Sequence, residues 1–272
     1  MSAVDPGLEA VLDAGDHNLA AVLRRSAAAS PDGVLDDDGR LVLVSVVRSW
    51  PGPYHNGALR LDRSLPPDEV LERAQSFFQG KSDGYGVWIG HADDDLQIAA
   101  VAAGLPLLSP TGVPRMVLDH RLAPLPVPPD VSLDEVVDEA GRQAFLDVTI
   151  KAYADSFLPA EAASAQLATV DAVHGPDVRS VLARVDGRPV AAAMIVAGGG
   201  VASVQMVGTL PDARGRGLGE LCTNWTVQAG FDFGAPAVVL EASEMGEPIY
   251  RRMGFVVASR YRWCFGPPPS SG

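Results

Sequence analysis

The run Arg214-Gly215-Arg216-Gly217-Leu218-Gly219 constrains this chain more than any other six residues in it. It follows residues 201–209, which read as a strand, and opens a helix expected over residues 219–233. Glycines in that context let the main chain approach a ligand closely, with several amides pointing one way. A helix N-terminus adds partial positive charge, so the loop suits a pyrophosphate, and Arg214 and Arg216 bring formal charge for phosphate oxygens. A tight turn with no ligand is the competing reading. The dinucleotide spacing Gly-x-Gly-x-x-Gly is not matched, and no Lys-Ser/Thr pair follows as a mononucleotide loop requires.

A second motif, Tyr250-Arg251-Arg252-Met253-Gly254-Phe255, lies downstream. Gly254 can stop a short helix in a left-handed turn, and Phe255 can re-enter the core on the next strand. The interval between the motifs holds one helix, one strand and one short helix. With Pro211 before it, the spacing Arg-x-x-Gly-x-Gly after a strand resembles the coenzyme A loop of the GNAT N-acetyltransferase superfamily. The tyrosine followed by Gly-Phe resembles the superfamily's other hallmark. The similarity covers residues 132–265, with its motif-bearing core at residues 201–255.

That resemblance implies an α/β fold with a mixed sheet, and acetyl-CoA as cosubstrate. It implies that the strand through residues 201–209 splays from its neighbour, leaving main-chain groups near Val207 and Thr209 for the pantetheine arm, as a ligand adding a strand. The amides of Gly215, Arg216, Gly217, Leu218 and Gly219 would hold the pyrophosphate, with Arg214 beside them. Ser243 stands where many relatives carry an asparagine that contacts the cofactor arm. Tyr250 matches the tyrosine that protonates the departing thiolate, and the Val207 amide is the candidate oxyanion donor. A tyrosine that only packs on the cofactor is the alternative for Tyr250.

The general base stays open. The strand before the loop offers only Ser203 and Gln205, and neither is a base. Glu241 and Glu244 could act through water, although a solvated surface role is the favoured reading of each. His174 lies in a loop and reads as incidental.

A proline-rich connector, Leu122-Ala123-Pro124-Leu125-Pro126-Val127-Pro128-Pro129-Asp130, marks the expected boundary between residues 1–125 and 126–266, with a loose tail at 267–272. After the boundary, Ser132 with Glu135 reads as a capping box for a long helix towards Tyr153. Before it the pattern predicts a turn at residues 36–39, strands at 41–47 and 58–61, a helix opened by Pro66-Pro67-Asp68-Glu69, a strand at 85–89, a helix at 94–103 and a short strand at 116–118. This order echoes the C-terminal half. Residues 61–67, where a pyrophosphate loop would stand, hold no glycine, and Ala100 takes the tyrosine position. The first half therefore reads as a degenerate GNAT-like domain without cofactor binding, suited to covering the active half, shaping the acceptor cleft or dimerising. Trp50, Tyr54 and His55 could line such a cleft, but a packed turn with one exposed histidine is slightly favoured.

A formal net charge of −13 argues against nucleic-acid or anionic-membrane partners, which need clustered Lys and Arg. Two cysteines, Cys222 and Cys264, are too few for a disulfide framework and too far apart for a metal site, so a reduced, cytoplasmic setting is the default and no metal is expected. The N-terminus has no basic flank or apolar run of an export signal, and no apolar stretch approaches the roughly 18 residues needed to span a bilayer. Two functions remain: an N-acetyltransferase acting on a small-molecule or protein amine, and a non-catalytic acyl-CoA-binding sensor.

Overall fold

The computed structural model describes residues 6–49, 52–108, 110–154 and 158–267. A 24-residue helix, α1 (Pro6–Ala29), comes first. The hairpin β1 (Val34–Asp37) and β2 (Leu41–Ser45) follows, then β3 (Asn56–Arg60), α2 (Pro67–Phe78), β4 (Tyr85–Ile89), α3 (Asp94–Ala102) and β5 (Val113–Leu118). Beyond the connector come β6 (Val131–Glu135), α4 (Glu139–Ala152), α5 (Ala160–Gln166), β7 (Val178–Val185), β8 (Arg188–Gly198) and β9 (Val201–Thr209). The chain closes with α6 (Leu218–Asp232), β10 (Val238–Glu241), α7 (Glu247–Arg252) and β11 (Val256–Gly266).

All the strands join one mixed sheet in the order β1-β2-β3-β4-β11-β5-β10-β9-β8-β7-β6. The order is nearly a palindrome about the β11–β5 pair. On each side an antiparallel hairpin leads to two parallel strands, β3 with β4 and β9 with β10. At the centre the halves exchange strands: β5 lies between β10 and β11, and β11 lies between β4 and β5. The fold is thus the α/β mixed sheet expected, with a similar strand arrangement in both halves. The sheet does not divide at the proline-rich connector.

Two features depart from the sequence reading. The presumed capping box at Ser132 and Glu135 is strand β6, paired antiparallel with β7. Its side chains alternate between buried and exposed, a period of two that outweighs the cap-like spacing. The following helix starts later, where the Asp138 carboxylate accepts the Gly141 N–H at 2.8 Å. The other departure is α1, whose helix the sequence reading omitted. Its apolar residues Leu19, Val22 and Leu23 are buried in the core shared with β8 and β2. The expected tail from 268 on, the first five residues and Trp50 lie outside the described residues.

Candidate active site

The site forms where β9 parts from β10. In register the two strands pair only at Val238 with Ala202 and Val239 with Ser203. Beyond Ser203, β9 has no partner on that side, as a splayed pair requires. On its other side the ladder to β8 shifts register between Gln205 and Gly208, and Met206 adopts a left-handed φ of 53°. A non-glycine residue there marks a bulge that turns the strand's groups. The bulge is fastened: the Tyr153 hydroxyl, one residue past α4, donates to the Val207 carbonyl at 2.9 Å. α4 comes so near that a Cβ on Gly208 would lie 2.8 Å from the Ala152 Cβ.

The glycine loop meets this strand at the start of α6. Gly215 and Gly217 hold φ values of 79° and 74°, and Gly217 is the cap of α6 without any side-chain cap bond. A Cβ at either would meet open space, so the exposed side of the loop is a cradle of main chain alone. A Cβ on Gly219 would lie 3.3 Å from Thr209 Oγ1 and 3.9 Å from Val207 Cγ1, which brings the loop and strand residues together. Leu218 buries its side chain in the core and leaves its amide at the helix start. The arginine side chains are engaged elsewhere. Arg214 bonds the Thr209 and Ala152 carbonyls at 3.2 and 3.3 Å, and Arg216 pairs with exposed Asp130 at 2.6 Å. Ser243 accepts the Gly246 N–H at 3.1 Å and so helps turn the chain into α7.

Tyr250, on α7, reaches Thr223, one turn along α6 from the loop. Thr223 donates its hydroxyl to the Gly219 carbonyl at 2.8 Å and also contacts the Tyr250 phenol. Burial pushes that phenol up to about 12, partly offset by Thr223, so it is protonated at any working pH. Gly246 packs under the ring, and Phe255 meets it edge-on at 5.9 Å.

Glu241 corrects the surface role expected for it. It ends β10 half-buried, and desolvation raises its pKa above the usual carboxylate range; Arg115, Gln205 and Tyr54 oppose the shift. A partly desolvated carboxylate moved towards neutrality is what a general base requires. Tyr54 lies within electrostatic reach of Tyr153, and Tyr153 of Tyr250, so three phenols lead from Glu241 towards Thr223. The sequence reading passed over Tyr153, Arg115 and Asp16. His55 also departs from expectation, since it is 4% exposed rather than open, and burial holds it down at about 4. His174 is half-exposed, 3.7 Å from Glu135 and remote from these groups.

The family model for acetyltransferases of the GNAT type matches residues 143–255. This chain carries a GNAT acetyltransferase domain. The likeness of fold extends beyond it. A GCN5-related N-acetyltransferase from Kribbella flavida aligns over 91% of this chain and 94% of its own, with a TM-score of 0.65 and 23% identity. A tandem GNAT protein from the clavulanic acid biosynthesis pathway aligns over 95% and 93%, with a TM-score of 0.55 and 17% identity. A GCN5-related N-acetyltransferase from Sphaerobacter thermophilus aligns over 85% and 82%, with a TM-score of 0.55 and 15% identity. No curated protein sequence matches. The acetyltransferase family model thus accounts for residues 143–255, and the likeness of fold extends over both halves of the chain.

At the corresponding place in the first half the described residues are arranged differently. Arg60, at the end of β3, is buried and bonds Asp93 and Asp95 just past β4 at 2.6 and 3.0 Å, and the Leu65 carbonyl at 3.2 Å. An ion-paired arginine bridges the strand ends there, and no glycine cradle follows. Among the described residues, no helix is long and apolar enough to cross a membrane.

Proposed function

We propose that the chain transfers an acetyl group from acetyl-CoA to a primary amine of a small molecule or a protein. The observation that carries this reading is the convergence of the loop, the β9 bulge and Tyr250 through Thr223 and Gly219. The open cradle at Gly215 and Gly217 fits a diphosphate held by the amides of residues 215–219, and the parted edge near Val207 and Thr209 fits an extended amide arm. Acetyl-CoA, when bound, supplies an activated acyl carbon as a thioester.

The protein's own groups then divide the work. Glu241 accepts a proton from the ammonium of the acceptor, leaving a neutral amine to attack the acyl carbon. The Val207 amide donates to the oxygen that gains charge as the C–N bond forms. The C–S bond breaks, the neutral Tyr250 phenol gives its proton to the departing sulfur, and the proton that the nitrogen sheds as the amide forms restores the phenol through solvent. Orientation of these groups contributes as much as their acidity. Cofactor binding falls to residues 126–266 in this reading, with residues 1–125 as a half that has lost it.

The test is binding and turnover together. Purified protein should bind acetyl-CoA in isothermal titration and release CoA thiol with members of a broad amine panel. Glu241→Gln should bind normally and release little. Absence of binding removes the proposal, and binding without release to any amine favours an acyl-CoA sensor.

A further inference from the structure

The N-terminal half reaches the base at three points. Arg115 on β5 stands directly across the ladder from Glu241 on β10. Its side chain is fully buried. Nη1 donates to Asp16 of α1 at 2.7 Å, while Nε and Nη2 have no hydrogen-bond partner among the described residues. The guanidinium lies over the Tyr261 ring of β11 at 4.6 Å, and the Tyr261 hydroxyl reaches the same Asp16 oxygen. A Cβ on Gly15 would lie 1.7 Å from Arg115 Nη2, so α1 closes on the guanidinium and fixes it. The third point is Tyr54, whose phenol lies beside Glu241 and whose ring meets Trp88 edge-on at 4.8 Å.

We propose that the N-terminal half completes the active centre: Tyr54 and the Asp16–Arg115 pair position the Glu241 carboxylate and set how tightly it holds a proton. The inference rests on reading Glu241 as the base. Its logic is electrostatic. Two carboxylates share one buried guanidinium, and Asp16 holds the direct bond, so Glu241 receives only part of the compensation a desolvated anion needs. The Tyr54 hydroxyl supplies a further donor to the charged form. The groups facing Glu241 are Asp16 from α1, Arg115 from β5, Gln205 from β9, Tyr261 from β11 and Tyr54 from the segment before β3. Behind Asp16 stand Arg63 and His91, each 3.7 Å from it. Tyr54 and Arg115 are positioning residues, since they act through Glu241.

The two sides of this device pull in opposite directions, which makes it separable from a structural role. Tyr54→Phe keeps the ring against Trp88 and removes the donor, so the Glu241 pKa should rise by about 0.5–1 unit. Asp16→Asn removes the competing anion and leaves Arg115 to Glu241, so the pKa should fall by about the same amount. The measurement is a carbon NMR titration of the full chain labelled at glutamate carboxyls, with the Glu241 signal assigned by its loss in Glu241→Gln. Opposite shifts support the inference; two variants that titrate as the parent does, or that shift in the same direction, overturn it. Should Asp16→Asn fail to fold, Tyr54→Phe decides alone, an upward shift supporting and no shift overturning. This readout needs no acceptor. Full thiol release by Glu241→Gln would remove the base reading while leaving the titration result intact, so the two failures are distinguishable.

Discussion

Tyr153 and Val207 are joined by a hydrogen bond of 2.9 Å from phenol to main-chain carbonyl, and this bond ties the end of α4 to the bulge of β9. The carbonyl it engages belongs to the same residue whose amide is assigned to the oxyanion. A peptide plane held from its neighbour's side keeps a donor pointed before substrate arrives, which is how preorganised dipoles act. Tyr153→Phe should therefore lower kcat by about tenfold with little change in acetyl-CoA affinity, and reduce stability by about 1 kcal/mol. Steady-state kinetics and urea unfolding measure the two effects; an unaltered kcat would show that the bulge holds its shape without the phenol.

Tyr250→Phe tests the acid. Removing the hydroxyl should lower turnover by about 10²-fold while acetyl-CoA binding stays nearly intact. Because burial holds the phenol at about 12, the parent enzyme should lose no activity to Tyr250 ionisation below roughly pH 10. A variant with full turnover in stopped-flow thiol release would reduce Tyr250 to a packing residue.

Gly217→Val should abolish acetyl-CoA binding. The φ of 74° strains any branched residue, and the new side chain would project into the open face of the cradle. Gly234 shares the left-handed conformation, at 83°, with open space beside it at the other end of α6. Gly234→Val thus carries the same backbone strain away from the loop, and it should bind normally in calorimetry. Equal loss in both variants would attribute the effect to folding.

Burial of His55 gives a pH signature. Its pKa falls from 6.5 to about 4 in the native state, so the unfolded chain binds more protons between those values. The contribution of His55 to stability is complete above pH 6.5 and is lost as pH falls towards 4, amounting to about 3 kcal/mol at most. Glu241, whose pKa is raised, works in the opposite sense. The comparison is therefore between the parent and His55→Gln, whose urea midpoints should converge as pH drops from 7 to 4. Parallel curves would show that the imidazole titrates normally.

Sequence reading located the C-terminal elements well because their signals are local. Two glycines with positive φ and a Gly-Phe helix stop are written into consecutive residues, and each has a steric cause. What escaped depends on pairing. Ser132 and Glu135 have cap-like spacing, but β7 offers that segment a ladder, and tertiary pairing outweighs a local preference. Glu241 reads as surface because a carboxylate after an apolar run usually is; its partial burial follows from β5 and α1 arriving from more than a hundred residues upstream. Tyr54 belongs to a turn whose neighbours could not be known before the sheet closed.

The exchange of β5 and β11 has a practical meaning for anyone cutting or rearranging this protein. A single proteolytic nick among residues 122–130 would break the covalent chain without freeing either piece, since each keeps a strand clasped between two of the other's. Expressing residues 126–267 alone would leave an empty slot beside β10 and bare its edge. The halves must be inherited, produced and unfolded as a pair.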